Sequence, residues 1–284
     1  GMPRAGVARL LAVCGLFALH GPFASLRLGW RRVRNAPEFE SGAAADDSVL
    51  EKYRQQVAGY RDLQRSMLND ELMAVLGRHV PRGGAVLVGG SGAGSEAIHL
   101  ARHGYRVLGF DGLPEMVSTA GKAAQAAGVQ VEFVSAGIVS LDLPGRRFDA
   151  VYLTPTLYSF IAQRERRIAV LRILARHMWA GGCLLLSVQP YRGPSDRART
   201  ALAVWRRRLR GCRTVEAGDW YSWFLTPRGE IGYSYLHRFA RGEVETELAT
   251  AGYRVRERIG LRVDDDRVRG VEEGVKARHS VPVI

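Results

Sequence analysis

Short apolar runs alternate with amphipathic stretches through most of this chain. Ala85–Val88, Arg106–Phe110, Val131–Ser135, Phe148–Leu153 and Cys183–Val188 have the length and near-continuous apolar character of strands buried on both faces. Between them, Glu96–Arg102, Met116–Ala127 and Arg164–Trp179 place apolar residues at helical spacing. His103-Gly104 and Ala180-Gly181-Gly182 read as helix stops, and Pro81-Arg82-Gly83-Gly84 and Pro144-Gly145 as turns that deliver the chain into strands. Upstream, Leu50, Tyr53, Val57 and Tyr60 form one helical stripe. Leu68, Leu72, Val75 and Leu76 form a second, started by Asn69 ahead of Asp70 and Glu71. The alternation predicts an α/β fold, a doubly wound and mostly parallel sheet.

From Gln189 the alternation breaks. Ser195–Arg210 reads as a basic helix, and Trp220–Leu225 with Ile231–Phe239 as an aromatic hairpin around Thr226-Pro227-Arg228-Gly229. Glu243–Ala251 predicts a helix capped by Gly252, and Tyr253–Ile259 a last strand. Three regions result: an apolar segment and linker over 1–48, a central domain over 49–260 with 189–240 as an insertion over its site, and a polar tail over 261–284. Within the first, Val7–Leu28 is apolar but carries Arg9, His20 and Arg27 and is broken at Gly21-Pro22, so it is a poor bilayer span. Packing on the domain or on a second copy, contact with a membrane surface, and a secretion signal are the open readings of this segment; Asn35–Ser48 is a linker by composition.

The candidate chemistry sits where the first strand ends. Gly89, Gly90, Gly92 and Gly94 follow Val88 directly, and Asp111 closes the second apolar run. Glycines let the backbone turn sharply and approach a ligand closely. A helix N-terminus offers free N–H groups, and an acid at the tip of the neighbouring strand can accept two hydrogen bonds from a ribose diol. This is the pattern of a nucleotide-type site. Ligands on doubly wound sheets bind beyond the carboxyl ends of the strands, where Gly89–Gly94, Asp111, Ala136-Gly137 and Thr154–Tyr158 all fall.

Composition changes this picture little. The 284 residues are 46% hydrophobic, ordinary for a globular protein of this length. The net charge of +13 comes almost entirely from arginine, since Lys52, Lys122 and Lys276 are the only lysines; a basic face for an anionic partner is compatible with it, but no nucleic-acid-binding motif is visible. Cys14, Cys183 and Cys212 give neither a disulfide framework nor a zinc spacing. A reducing, cytoplasmic setting is expected, with peripheral membrane contact through 7–28 as the alternative.

In this order, the elements resemble the class I S-adenosylmethionine-dependent methyltransferases over residues 49 to 260. The family's first strand and glycine loop match Val86-Leu87-Val88-Gly89-Gly90-Ser91-Gly92-Ala93-Gly94, and its ribose-binding acid falls on Asp111. Its fourth strand matches Phe148-Asp149-Ala150-Val151-Tyr152-Leu153, and the turn before its fifth strand matches Ala180-Gly181-Gly182. Tyr235–Phe239, Glu243 and Ala251-Gly252-Tyr253 resemble its sixth strand, last helix and seventh strand. The resemblance implies a seven-stranded Rossmann-like sheet with an antiparallel C-terminal strand and an N-terminal helical extension. It implies S-adenosylmethionine as cofactor, held by Gly90, Gly92, Gly94, Asp111, Gly112, Gly137, Ile138 and Thr154.

Two positions depart from the family pattern. Its first-strand acid is Val88 here, and the acid after its third strand is Gly137. Each removes a charge-assisted hydrogen bond of about 1.5–3 kcal/mol, although the backbone N–H groups of Gly137-Ile138 can still meet an adenine.

The acceptor is expected near Thr154–Tyr158, contacted by Thr156, Tyr158, Tyr191, Arg192, Trp220 and Tyr221. The family's Asn/Asp-Pro-Pro-Tyr amine signature is replaced by Thr154-Pro155-Thr156, which favours an oxygen or carbon acceptor on a small molecule. His237, after the aromatic hairpin, is the candidate general base, against a structural role in the same place. No metal ligation is expected. Gly92-x-Gly94-x-x-Ala97 also fits the fingerprint of a flavin or nicotinamide oxidoreductase. A non-catalytic subunit that keeps the fold is the remaining reading, motivated by Val88 and Gly137; residues 7–28 would then serve as an interface.

Overall fold

The computed structural model describes residues 42–60, 66–191, 193–209, 211–212, 214–226, 231–264, 267–271 and 280–283. The segment 7–28, the start of the expected linker and Arg192 lie outside the described residues. Two helices, α1 (Gly42–Tyr60) and α2 (Asp70–His79), precede an alternating series. This series comprises β1 (Ala85–Gly89), α3 (Ser95–Arg102), β2 (Arg106–Asp111), α4 (Pro114–Ala126), β3 (Glu132–Ser135), β4 (Phe148–Leu153), α5 (Arg164–Arg176) and β5 (Met178–Leu185). The strands form one parallel sheet in the order β3-β2-β1-β4-β5.

Burial on both faces explains the unbroken apolar runs. Val86 and Val88 face a cluster with Leu72, Leu76, Ala97 and Leu100 from α2 and α3. Leu87 faces the opposite cluster, with Leu171 and Leu174 of α5. β1 lies between β2 and β4, so the chain winds outward in both directions from it and the connections diverge at its carboxyl end. That divergence is the crevice in which such sheets take ligands.

The sheet has five strands where seven were expected. β6 (Asp219–Leu225) and β7 (Ile231–His237) form the predicted antiparallel hairpin, paired from Asp219↔His237 to Leu225↔Ile231. The hairpin satisfies its own ladder. Phe239 N–H to the Gln189 carbonyl (2.8 Å) and Tyr191 N–H to the Phe239 carbonyl (3.3 Å) tie its end to the segment after β5. The basic helix α6 (Pro194–Leu209) precedes this hairpin, and α7 (Glu243–Thr250) follows it. Residues 253–258 form no strand. β8 (Ile259–Asp264) pairs instead with β9 (Arg267–Val271) and β10 (Ser280–Val283) in a separate antiparallel sheet, so the polar tail contains strands.

The expected linker also differs, because its last residues are the first turns of α1. Ala43, Ala44 and Ala45 are strong helix formers. Ala45 and Val49 are buried with Ala162 and Tyr235, and Asp46 pairs with Arg166 of α5. A composition typical of linkers therefore conceals a packed helix.

Behind the sheet lies a buried ionic network. Arg167 of α5 is 0% exposed. Its guanidinium donates to Glu247 of α7 at 2.7 Å and to Glu216 at 3.0 Å, and the Tyr158 hydroxyl donates to the same Glu247 at 2.8 Å. His237, also fully buried, lies between Asp219 at Nδ1 and Glu243 at Nε2, both 2.9 Å away. Tyr235 Oη donates to Asp219 at 2.6 Å. Glu216, Asp219 and His237 bring ligand-type atoms within 4.8 Å of one another, as a cation site would, and the Arg167 guanidinium already supplies positive charge there.

Two outcomes follow from this network. Removing one partner of a buried pair leaves an uncompensated charge, at a cost of about 3–5 kcal/mol. Arg167→Met should therefore lower the thermal midpoint by on the order of 10 °C by scanning calorimetry, whereas a surface exchange such as Arg199→Met should leave it nearly unchanged. The second outcome concerns pH. Burial opposes charge on His237, but Asp219 and Glu243 outweigh it, and the imidazole pKa lies above its ordinary value. Its stabilisation is fully present below the unfolded value of about 6.5 and is lost as pH rises through the raised folded value. The Glu243 carboxyl is also buried, yet the bond to His237 holds it below its ordinary value, so its contribution is lost only in acid. The thermal midpoint of the wild-type protein should fall as pH rises from 6 to 8.5, and the decline should be much shallower in His237→Gln.

Candidate functional site

The glycine loop leaves β1 at Gly89 and enters α3 through Gly94. Gly90 has φ +67°, and a Cβ there would come within 2.7 Å of Thr154 Oγ1, so the turn admits no side chain without displacing β4's end. Thr154 Oγ1 lies 3.0 and 2.9 Å from the Gly89 and Gly90 carbonyls and is the tie between the two strand ends. On the other side, Ser91 N–H donates to the Phe110 carbonyl at 3.0 Å.

Asp111 ends β2 facing this loop. One carboxylate oxygen accepts from Gly92 N–H at 2.9 Å, and the other accepts from Leu113 N–H at 2.9 Å. Burial raises the Asp111 pKa above the usual aspartate value, and the two N–H bonds pull it back towards that value. Each oxygen keeps acceptor capacity beyond its backbone bond, which is what recognition of a vicinal diol requires.

Beyond the strand ends lies a cavity of about 1260 Å³. Gly90, Gly92, Asp111, Gly112, Gly137, Ile138 and Thr154 all line it, so seven of the eight predicted cofactor positions converge there. Gly94 does not; it starts α3 and packs against Ala120 and Phe133. Gly137 carries no carboxylate, and its backbone leads into a single 3-10 turn over Ile138–Ser140.

Of the stretch expected to meet the acceptor, Thr154, Pro155 and Leu157 line the cavity. Thr156, in the left-handed region at φ +71°, and Tyr158, Tyr191, Trp220 and Tyr221 are not among the lining residues. Tyr158 points back to Glu247, Tyr221 packs edge-on against Tyr235, and the Arg238 guanidinium lies 4.8 Å from the Trp220 ring centre. Arg192 is outside the described residues. His237 is likewise absent from the cavity lining, with both ring nitrogens engaged by carboxylates; the geometry makes it a tie between β7 and α7.

Part of the cavity wall comes from a helix the sequence did not mark as functional. Asp46, Val49, Leu50 and Tyr53 of α1 line the cavity, together with Leu157, Phe160 and Ile161 after β4. Tyr53 meets Phe160 edge-on at 5.8 Å, and Lys52 Nζ lies 5.6 Å from the Phe160 ring centre. The Leu50–Tyr53 stripe was visible in the sequence but reads as ordinary core. Ser66, Met67, Asn69, Ser95 and Glu96 close a polar end beside the loop.

The comparisons agree with this geometry. Residues 86–182 match a family model described as a methyltransferase domain. No curated protein matches the sequence significantly. Among solved structures, a SAM-dependent methyltransferase from Methanosarcina mazei is 18% identical, with a TM-score of 0.58 over 77% of this chain and 96% of its own. The 1,6-didemethyltoxoflavin-N1-methyltransferase of Burkholderia thailandensis, solved with its acceptor and S-adenosylhomocysteine, is 18% identical, with a TM-score of 0.55 over 88% and 90%. A sugar N-methyltransferase from a Streptoalloteichus species is 17% identical, with a TM-score of 0.50 over 80% and 90%. At these identities the solved structures speak for the fold, while the matched residues speak for the domain. Residues 86–182 match a methyltransferase domain, and the chain around them has the fold of the class I S-adenosylmethionine-dependent methyltransferases.

Proposed function

We propose that this enzyme methylates a small molecule with a substantial apolar or aromatic part, at an oxygen or carbon atom, and that acceptor and cofactor share the cavity beyond β1, β2 and β4. The observation that carries the reading is the cavity's division. A glycine loop and a diol-binding carboxylate form one side, and Val49, Leu50, Tyr53, Leu157, Phe160 and Ile161 form the other. A volume of about 1260 Å³ exceeds what one small ligand usually fills, roughly 300–1,000 Å³, and so suits two ligands side by side.

The residues present suit the cofactor. Asp111 has acceptor capacity for a ribose, and Gly137-Ile138 offer backbone where an adenine edge would lie. S-adenosylmethionine, when bound, supplies a methyl group on a positively charged sulfur. The chain's own task is then alignment and exclusion of water. Thr154 fixes the loop against β4, Phe160 and Tyr53 form an aromatic wall, and α1 is held over the cavity by Asp46–Arg166 and by the bond from Tyr235 N–H to Ser48 Oγ at 3.2 Å.

No histidine lines the cavity among the described residues. Of its carboxylates, Asp46 is paired with Arg166, Asp111 with backbone, and Glu96 with Met67 N–H and Ser95 Oγ. Such a site suits an acceptor whose reacting atom is already nucleophilic, an enolate or phenolate for instance, better than one that must be deprotonated in place. The replacement of the amine signature by Thr154-Pro155-Thr156 points the same way.

Calorimetric titration with S-adenosylmethionine and S-adenosylhomocysteine tests the reading. Micromolar binding is expected, and Asp111→Asn should weaken it about ten- to hundred-fold, the equivalent of one charged hydrogen bond. A folded wild-type protein that binds neither compound would remove the basis for the proposal. Once an acceptor is found, the carbon-13 shift of the transferred methyl group will distinguish oxygen, carbon and nitrogen products.

A further inference from the structure

The cofactor's aminoacyl end carries an ammonium group, and an ammonium in a buried site needs an anionic acceptor. β1 offers none, because Val88 is fully buried among hydrocarbon. Among the described residues three carboxylates line the cavity: Asp46, Glu96 and Asp111. Asp46 is bound to Arg166 on the α1 side, and Asp111 is committed to the loop and the turn after β2. Glu96 remains.

Glu96 is the second residue of α3 and is 7% exposed, unusually buried for a glutamate. Its Oε1 accepts from Met67 N–H at 3.2 Å and its Oε2 from Ser95 Oγ at 2.8 Å, so the carboxylate faces only neutral donors and no arginine or lysine pairs with it among the described residues. Two hydroxyls nearby lack a hydrogen-bond partner among the described residues. Ser91 Oγ, on a residue that lines the cavity and is 2% exposed, is one; Tyr152 Oη is the other. Glu96 is close enough to Tyr152 for its charge, after burial itself, to raise the phenol's pKa further. Val88 pairs with Tyr152 across β1 and β4 and packs in one cluster with Leu68 and Ala97, the residues that follow Met67 and Glu96 in sequence. Position 88 and Glu96 thus approach the same phenol, Tyr152, from different elements.

We propose that Glu96 is the anionic acceptor for the cofactor's ammonium group, and that Ser91 Oγ with the free N–H groups at the start of α3 receives the adjoining carboxylate. The charge that β1 lacks is supplied from the first turn of α3. The assignment rests on the cofactor reading above and deepens it: the polar end formed by Ser66, Ser91, Asn69, Ser95 and Glu96 is an amino-acid subsite, separate from the nucleoside subsite at Asp111.

Two probes separate these subsites. S-adenosylhomocysteine carries both halves, whereas 5′-methylthioadenosine keeps the nucleoside and lacks the amino-acid end. Titration of the full chain should show that Glu96→Gln, which retains an oxygen for Met67 N–H, weakens S-adenosylhomocysteine about tenfold or more and leaves 5′-methylthioadenosine within about a factor of two. Ser91→Ala removes a hydroxyl with no partner among the described residues, so it should keep the wild-type thermal midpoint and weaken only S-adenosylhomocysteine. Asp111→Asn should weaken both ligands alike. Equal losses of both ligands in Glu96→Gln, or no loss of either, would overturn the assignment while leaving the cofactor reading intact. A wild-type protein that binds neither ligand would overturn both.

Discussion

A guanidinium with no access to water must be surrounded by carboxylates, and at Arg167 that requirement organises half of the molecule. Glu216 reaches it from the approach to the β6–β7 hairpin and Glu247 from α7, so both must dock on α5 before the charge is satisfied. Glu247 also receives the Tyr158 hydroxyl, which pins the 3-10 turn over Leu157–Phe160. That turn carries Leu157 and Phe160 into the cavity wall. The position of the apolar wall is thus set from behind, by an ion pair that the ligands never meet. Replacing such a pair with hydrocarbon can be neutral in stability; what the pair adds here is a fixed geometry among elements far apart in sequence.

Much of the sheet could be read from the chain because its strands are buried on both faces and leave continuous apolar runs. The order of elements then fixed the strand ends, which is why Gly90, Gly92, Asp111 and Thr154 meet in space as their spacing implies. Gly94 missed the cavity because a residue that starts a helix can serve packing as readily as a ligand. Beyond β5 the local signal ceased to specify partners. The aromatic run Ile231–Phe239 looks equally suited to joining the sheet or to pairing with Trp220–Leu225, and period-two spacing cannot distinguish the two. The hairpin won because its strands are adjacent in sequence and match over their whole length. Trp220 and Tyr221 of this hairpin face Arg238, Arg207 and Tyr235.

The α1 wall was hidden for a different reason. Leu50 and Tyr53 have the spacing of core residues, and they do face inward, but the space they face is a cavity. Hydrophobic periodicity reports which side of a helix avoids water; it is silent on whether that side meets protein or ligand. Asp46 was lost in a stretch whose alanine and aspartate content resembles a linker, although its partner Arg166 lies in plain view on α5. Pairings over such separations are set by tertiary structure alone.

Asp111 spends one hydrogen bond on Gly92 and another on Leu113 before any ligand arrives. The carboxylate that would recognise a ribose is therefore also the clamp that shapes the glycine loop, and recognition and scaffold share a single side chain. Descendants of this sequence cannot adjust the two properties independently at position 111. Any lineage that abandoned the acid would have to acquire a new fastening for the Gly92 amide in the same step, which makes this position far harder to drift away from than Val88 or Gly137.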